Sequence, residues 1–191
     1  MYYRKGTIFF TAKLLCIAVA LAPAFKMKFW NIGAEGQVLM GALSTAIVMV
    51  NFSTLSTPLL FTLMIVSSVV IGAIWGLIPA IFKAKWNVNE TLFTLMMNYV
   101  AMQLVDYYYN IWKGSKASLG MLNPGTKAGY LPEYNGSSNS IIVTVVLIIT
   151  VLMYIYLKKT KHGYEIAVVG ESENTARYAG IDVKKVIIRT M

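Results

Sequence analysis

Apolar residues along this chain gather into long runs instead of alternating with polar ones. A helix that crosses a bilayer needs about 20 mostly apolar residues. Residues 7–25 meet that requirement, with Lys13 as an interruption. Residues 57–82 are long enough to cross with tilt, and 90–109 and 140–157 are adequate. The run 37–50 is apolar but short, about 21 Å at 1.5 Å per residue, against a hydrocarbon core of about 30 Å. The pattern predicts an all-α, polytopic membrane protein with about five membrane segments, one of them short or broken.

Composition agrees. Hydrophobic residues make up 57% of the chain, charged residues 13%, and the mean hydropathy is +0.61. Soluble domains lie near 45–50% and about 25%, and an excess confined to runs is not a greasy soluble core. The formal charge of +9 raises nucleic acid as a partner. That would need Lys and Arg clustered on one face or along one helix. Here they fall at the edges of apolar runs, where membrane lipid and the positive-inside rule account for them. Cys16, alone in an apolar run, reads as packing, and no disulfide framework or Cys/His metal spacing is present.

The first run has a rival reading. Arg4 and Lys5, an apolar stretch and Ala22-Pro23-Ala24 resemble a secretory signal with a small-residue cleavage site. Lys13 in mid-run argues against it.

Loop charge sets the orientation. Five crossings place loops 26–36, 83–89 and 158–191 on one side, with Lys26, Lys28, Lys83, Lys85, Lys158, Lys159, Lys161, Arg177, Lys184, Lys185 and Arg189. The other side holds Arg4, Lys5, Lys113, Lys116 and Lys127. The first set is therefore expected in the cytoplasm and the loop 110–139 outside. An external N-terminus with no preceding helix, and an uncapped Val183–Met191, lead to the expectation that 1–191 is a single, partial transmembrane domain. Asp106-Tyr107-Tyr108-Tyr109 and Trp112 suit an outer headgroup belt. The triplets Asn51-Phe52-Ser53 and Asn135-Gly136-Ser137 are too common a pattern to argue from.

Three stretches carry functional information. In Phe29-Trp30-Asn31-Ile32-Gly33-Ala34-Glu35-Gly36-Gln37, polar Asn31, Glu35 and Gln37 alternate with small residues. Such groups avoid lipid and face protein or water, and glycines let the backbone leave regular helix or a neighbour approach. The stretch is either a broken element lining a pathway or a cytoplasmic turn with a solvated Glu35. In Trp86-Asn87-Val88-Asn89-Glu90 and the helix after it, Thr91, Thr94 and Asn98 share one face. They bond between helices or face a pore. Lys13 either snorkels or pairs with a carboxylate such as Glu35 or Asp106.

The third stretch is the polar 158–182. Gly170 to Gly180 has the marks of one short helix, with Ser172 as N-cap, Glu173 at the positive dipole end and Gly180 at C′. A helix this short is unstable alone, so it packs on this chain or a partner, with Arg177 and Tyr178 as its large side chains. His162, in a basic segment, reads as solvated. No phosphate-cradling Gly-x-x-x-x-Gly-Lys-Ser/Thr is present, so any ATP chemistry belongs to a partner, and no cofactor is expected on this chain.

These motifs carry a family resemblance. Residues Phe29–Gln37 resemble the "FNIGAEGQ" stretch of permease subunits in bacterial ABC importers for nucleosides and simple sugars, within the ribose/branched-chain amino acid permease superfamily. Trp30 is an added residue there. Asn87-Val88-Asn89-Glu90 through Asn98-Tyr99 looks like that family's "VNE…TLMLNY". Gly163-Tyr164-Glu165 through Ala179-Gly180-Ile181 resembles "GFELRAVGENPEAARYAGI", with Asn174-Thr175 in place of Glu-Ala. The resemblance implies a cytoplasmic coupling element over 163–182, including Gly170, Glu171, Asn174, Ala176, Arg177, Tyr178 and Gly180, that docks on an ATPase. It implies a solute path near Asn31, Glu35, Gln37, Asn89, Glu90 and Asn98. It also implies about twice as many spans in family members, a second permease subunit, an extracytoplasmic solute-binding protein and a bacterial plasma-membrane location. The expected activity is nucleoside import, with a sugar next. The alternatives are an ion-coupled transporter or channel, a membrane enzyme, and a truncated scaffold without transport.

Overall fold

The computed structural model describes residues 2–130 and 139–191, with side chains from Gly6 and again from Ile141. The end of the expected external loop, with the Asn135 triplet and the side chains of Arg4 and Lys5, lies outside the described residues. Among the described residues every regular element is helical: α1 (Tyr2–Lys26), α2 (Ala34–Asn51), α3 (Thr57–Trp86), α4 (Glu90–Lys113), α5 (Asn139–Lys159), α6 (Lys161–Glu171), α7 (Glu173–Tyr178) and α8 (Val183–Thr190).

Three helical stretches among the described residues are long and apolar enough to cross a membrane: Gly6–Lys26, Thr57–Trp86 and Ile141–Lys159. Their side chains are mostly exposed within this chain, as lipid-facing helices require. At about 45 Å, α3 exceeds the hydrocarbon thickness and crosses with tilt or kinks near Pro79. The short run at 37–50 proves to be an 18-residue helix, because Ala34, Glu35 and Gly36 join it at the start and Asn51 at the end. α4 carries more polar residues, two of which, Thr94 and Asn98, are buried.

The helices form two units, one of α2 to α4 and one of α1 with α5 to α8. In the first, α2 and α3 meet along small residues. A side chain at Gly41 would lie 3.0 Å from Ser68 Oγ, and Gly72 faces the Gln37 carbonyl. Without a hydrophobic force between helices in lipid, such close backbone approach provides the packing energy. After α4, Asn123 Nδ2 donates to the Met49 carbonyl at 2.7 Å, and Gly129 (φ +83°) packs on Met49 and Met64. These contacts fold the described part of the loop back onto the end of α2.

In the second unit, α1 ends with Lys28 in the left-handed region (φ 59°). Phe29 N–H bonds to the Ala24 carbonyl and Lys28 N–H to that of Phe25, both at 3.0 Å, closing the helix as a Schellman turn. α5 packs along α1, and Thr160 starts α6 by accepting the Gly163 N–H at 3.1 Å. Lys13 is exposed, its ammonium 4.1 Å from the centroid of the Phe9 ring on its own helix.

Candidate functional site

In the α2–α4 unit a polar clasp joins the start of α2 to the middle of α4. Thr94 and Asn98 lie one turn apart on α4 and are buried at 1% and 5% exposure. Asn98 Oδ1 accepts the Gly36 N–H at 2.8 Å, and its Nδ2 donates to the Ile32 carbonyl at 3.0 Å. Thr94 Oγ1 accepts the Ile32 N–H at 3.2 Å and donates to the Glu90 carbonyl at 2.8 Å. The first N–H groups of α2 have no intrahelical acceptor, and Asn98 supplies one. Gly36 is required for this approach, since a Cβ there would stand 2.8 Å from Asn98 Oδ1 and 3.2 Å from Trp75 Nε1. The Trp75 indole N–H is buried without a hydrogen-bond partner among the described residues.

The turn between α3 and α4 explains the Asn87–Glu90 motif in structural terms. Asn87 takes the left-handed conformation (φ 51°) that ends α3, and Asn89 caps α4 by accepting the Leu92 N–H at 3.2 Å. Glu90 pairs with Lys83 at 2.9 Å, both side chains mostly buried. The Phe82 and Phe93 rings stack across the turn with centroids 4.7 Å apart.

The residues expected along a solute path thus separate. Asn98 is joined to Ile32 and Gly36, whereas Asn89 and Glu90 sit about 12 Å away along the α4 axis and serve the joint with α3. Glu35 is exposed in the first turn of α2, and Gln37 is half-buried. Asn31 belongs to the other unit, where it is buried at 2% exposure and donates its N–H to the Phe29 carbonyl at 3.0 Å.

The expected coupling stretch is two helices, not one. Gly170 and Glu171 end α6, and the break falls at extended Ser172 (φ −160°, ψ 125°). Ser172 caps α7 by accepting the Thr175 N–H at 3.3 Å. Gly180 takes φ +75° at C′, Ile181 N–H bonds to the Ala176 carbonyl at 2.9 Å and Gly180 N–H to that of Arg177 at 3.0 Å. This is a second Schellman closure. Ala176 is fully buried while Asn174, Arg177 and Tyr178 face outward, Tyr178 with 94% of its surface exposed. Arg177 and Glu173 stand 3.7 Å apart, both largely exposed, a pair of little energetic weight.

α6 rests on backbone. A side chain at Gly170 would collide with the Lys26 carbonyl, and one at Gly163 would stand 2.5 Å from the Tyr156 and Leu157 carbonyls. His162, expected to be solvated, is instead 5% exposed. Its Nδ1 lies 3.1 Å from Glu165 and its Nε2 3.3 Å from Thr190 Oγ1, so the ring bridges α6 to α8. It is buried because amphipathic α8 folds over it, placing Val183, Val186 and Ile187 inside. Asp182 caps α8, and the hydrogen bonds from the Lys185 backbone and then its side chain hold the carboxyl below its ordinary range.

Membrane-length apolar helices, with a buried polar clasp between α2 and α4, define a polytopic helical membrane protein. More narrowly, residues 5–191 match the family described as branched-chain amino acid transport system / permease component, and the chain belongs to it. That family is a membrane transport component and not an enzyme. The chain is 29% identical over 195 residues to the guanosine ABC transporter permease protein NupP of Bacillus subtilis, covering 100% of this chain and 56% of the relative. It is 33% identical over 184 residues to the glucose ABC transporter permease protein TsgB13 of Haloferax volcanii, covering 88% and 47%. It is 29% identical over 188 residues to the nucleoside ABC transporter permease protein NupB of Lactococcus lactis subsp. cremoris, covering 93% and 52%. The chain therefore spans about half the length of the curated relatives it matches. No solved structure matches.

Proposed function

We propose that this chain contributes the solute path and the ATPase-docking element of an ATP-driven importer for a nucleoside, with a sugar as the next choice. The carrying observation is α7, a six-residue helix closed at both ends by its own caps, with Asn174, Arg177 and Tyr178 turned outward. A tyrosine 94% exposed beside exposed Arg177 on a doubly capped helix is available to a partner protein. ATP is hydrolysed in a separate ATPase subunit. A second permease subunit and an extracytoplasmic solute-binding protein complete the assembly. The names of two relatives support a nucleoside and that of one supports a sugar.

In the mechanism, nucleotide-driven movement of the ATPase displaces α7, the spans tilt, and the path opens to alternate sides. Asn98 with Gly36, and the Trp75 N–H that lacks a partner among the described residues, support a path near this part of the α2–α4 unit, since they gather polar groups among membrane helices. Ion coupling is less well supported, because Glu90 is already neutralised by Lys83.

The test is Arg177→Glu in cells expressing the whole importer. Membrane insertion is expected to persist, because the lost Glu173 pair is weak, while ATPase co-purification and uptake fall. Co-purification of the ATPase at normal yield would sink the docking assignment. Uptake of labelled guanosine, ribose, glucose and amino acids in a deletion strain assigns the solute.

A further inference from the structure

A pocket of about 310 Å³ opens between α6 and α8, floored by the Gly180 turn. Its charged lining is Lys161, His162, Glu165, Asp182, Lys185 and Arg189. The acids are already engaged: Glu165 meets His162 at 3.1 Å, and Asp182 meets Lys185 Nζ at 3.2 Å. Lys161 and Arg189 have no carboxylate partner among the described residues. Lys161 and Arg189, the latter a guanidinium able to bind two oxygens at once, thus face one concavity without an ion pair, and with Lys185 the cations of the lining outnumber its carboxylates, Glu165 and Asp182, by one. The walls are held by the buried His162 bridge and by the Asp182 cap, so they do not depend on a ligand to form.

Position adds a constraint. Lys161 is two residues beyond the end of the membrane-length stretch Ile141–Lys159, which sets the pocket at headgroup level. Basic pockets at that level attract phosphate-bearing lipid.

We infer that the α6–α8 pocket binds a phosphate-bearing anion through Lys161 and Arg189, presented by the headgroup of an anionic membrane lipid. The site shares the Gly180 turn with the end of α7, but its anion chemistry does not depend on the transport reading. Its consequence is that lipid composition sets how firmly α8 is held to α6.

The experiment reconstitutes the purified full chain into nanodiscs of phosphatidylcholine alone or with phosphatidylglycerol and follows thermal unfolding. Phosphatidylglycerol is expected to raise the midpoint. The double variant Lys161→Gln/Arg189→Gln should bind it roughly thirtyfold more weakly, from about fivefold for each lost cation. Charge-preserving Lys161→Arg/Arg189→Lys should keep the response, which guards against misfolding as the cause. Lys159→Gln/Lys184→Gln removes equal charge outside the pocket and should also keep it. Equal loss in that control would mean diffuse attraction and would overturn the site, as would no response of the wild-type chain. Competition by soluble glycerol phosphate or inorganic phosphate would overturn the lipid assignment and leave a free phosphoanion site.

Discussion

Asn98 grips Gly36 in two ways, through the 2.8 Å hydrogen bond from the glycine N–H and through contact so close that no Cβ fits between them. Asn98→Ala removes that acceptor and the donor to Ile32 together. Each stranded buried group costs about 1–3 kcal/mol, so a loss on the order of 2–4 kcal/mol is expected. Reversible unfolding in detergent or lipid measures it, and an unchanged midpoint would contradict the clasp.

The glycines divide into those that carry contacts and those that do not. Gly36→Ala and Gly170→Ala should each destabilise by about 1–3 kcal/mol, because Asn98 in one case and the Lys26 carbonyl in the other must move. Gly6→Ala, with nothing within 4 Å, should be neutral or stabilise by up to about 1 kcal/mol through helix propensity. Parallel thermal melts of the three variants compare them directly.

Lys83 and Glu90 are predicted to couple by about 1 kcal/mol in a double-mutant cycle. The exchanged pair Lys83→Glu/Glu90→Lys should recover only part of the loss. Glu90 also sits in the first turn of α4, where a cation opposes the helix dipole. Full recovery would mean that the dipole contributes nothing there.

Trp75→Phe separates stability from transport. Removing a buried donor that lacks an acceptor should leave the fold unharmed or stabilise it by about 1 kcal/mol. If the indole N–H serves the solute path, KM for uptake should rise up to about tenfold with kcat retained. Unaltered KM would remove Trp75 from the path.

His162→Ala should loosen α8 from α6, since it removes the partner of Glu165 and the link to Thr190, whose hydroxyl keeps only its bond to the Val186 carbonyl within α8. Faster proteolysis within 183–190, with the α2–α4 unit unaffected, is the expected result.

Local signals made much of this legible before folding. Thr94 and Asn98 announce a shared polar face by their spacing, and Ser172 and Gly180 announce the ends of a short helix by their chemistry. Their partners were out of reach: Ile32 and Gly36 lie 62 residues or more before them in the chain, and no periodicity encodes that pairing. What stayed hidden is that Gly170 and Glu171 belong to the preceding helix, α6: Gly170 resembles a helix breaker, whereas its missing side chain is what admits the Lys26 carbonyl. Gly163 and Gly170, two turns apart on one face, were the available sign of a helix pressed against backbone. His162 was unreadable because its burial depends on α8, whose charged residues suggest a solvated tail.

The Gly170 contact also has a mechanical meaning. Side chains between two helices act as compliant padding, since rotamers can yield before the backbones move. Where α6 meets α1, and where it meets the end of α5, main chain touches main chain and there is no such padding. α7 is fixed to α6 through a single extended residue, Ser172. A push on α7 would therefore reach the membrane helices with little slack, and replacing either glycine would change the stiffness of that linkage before it changed any surface.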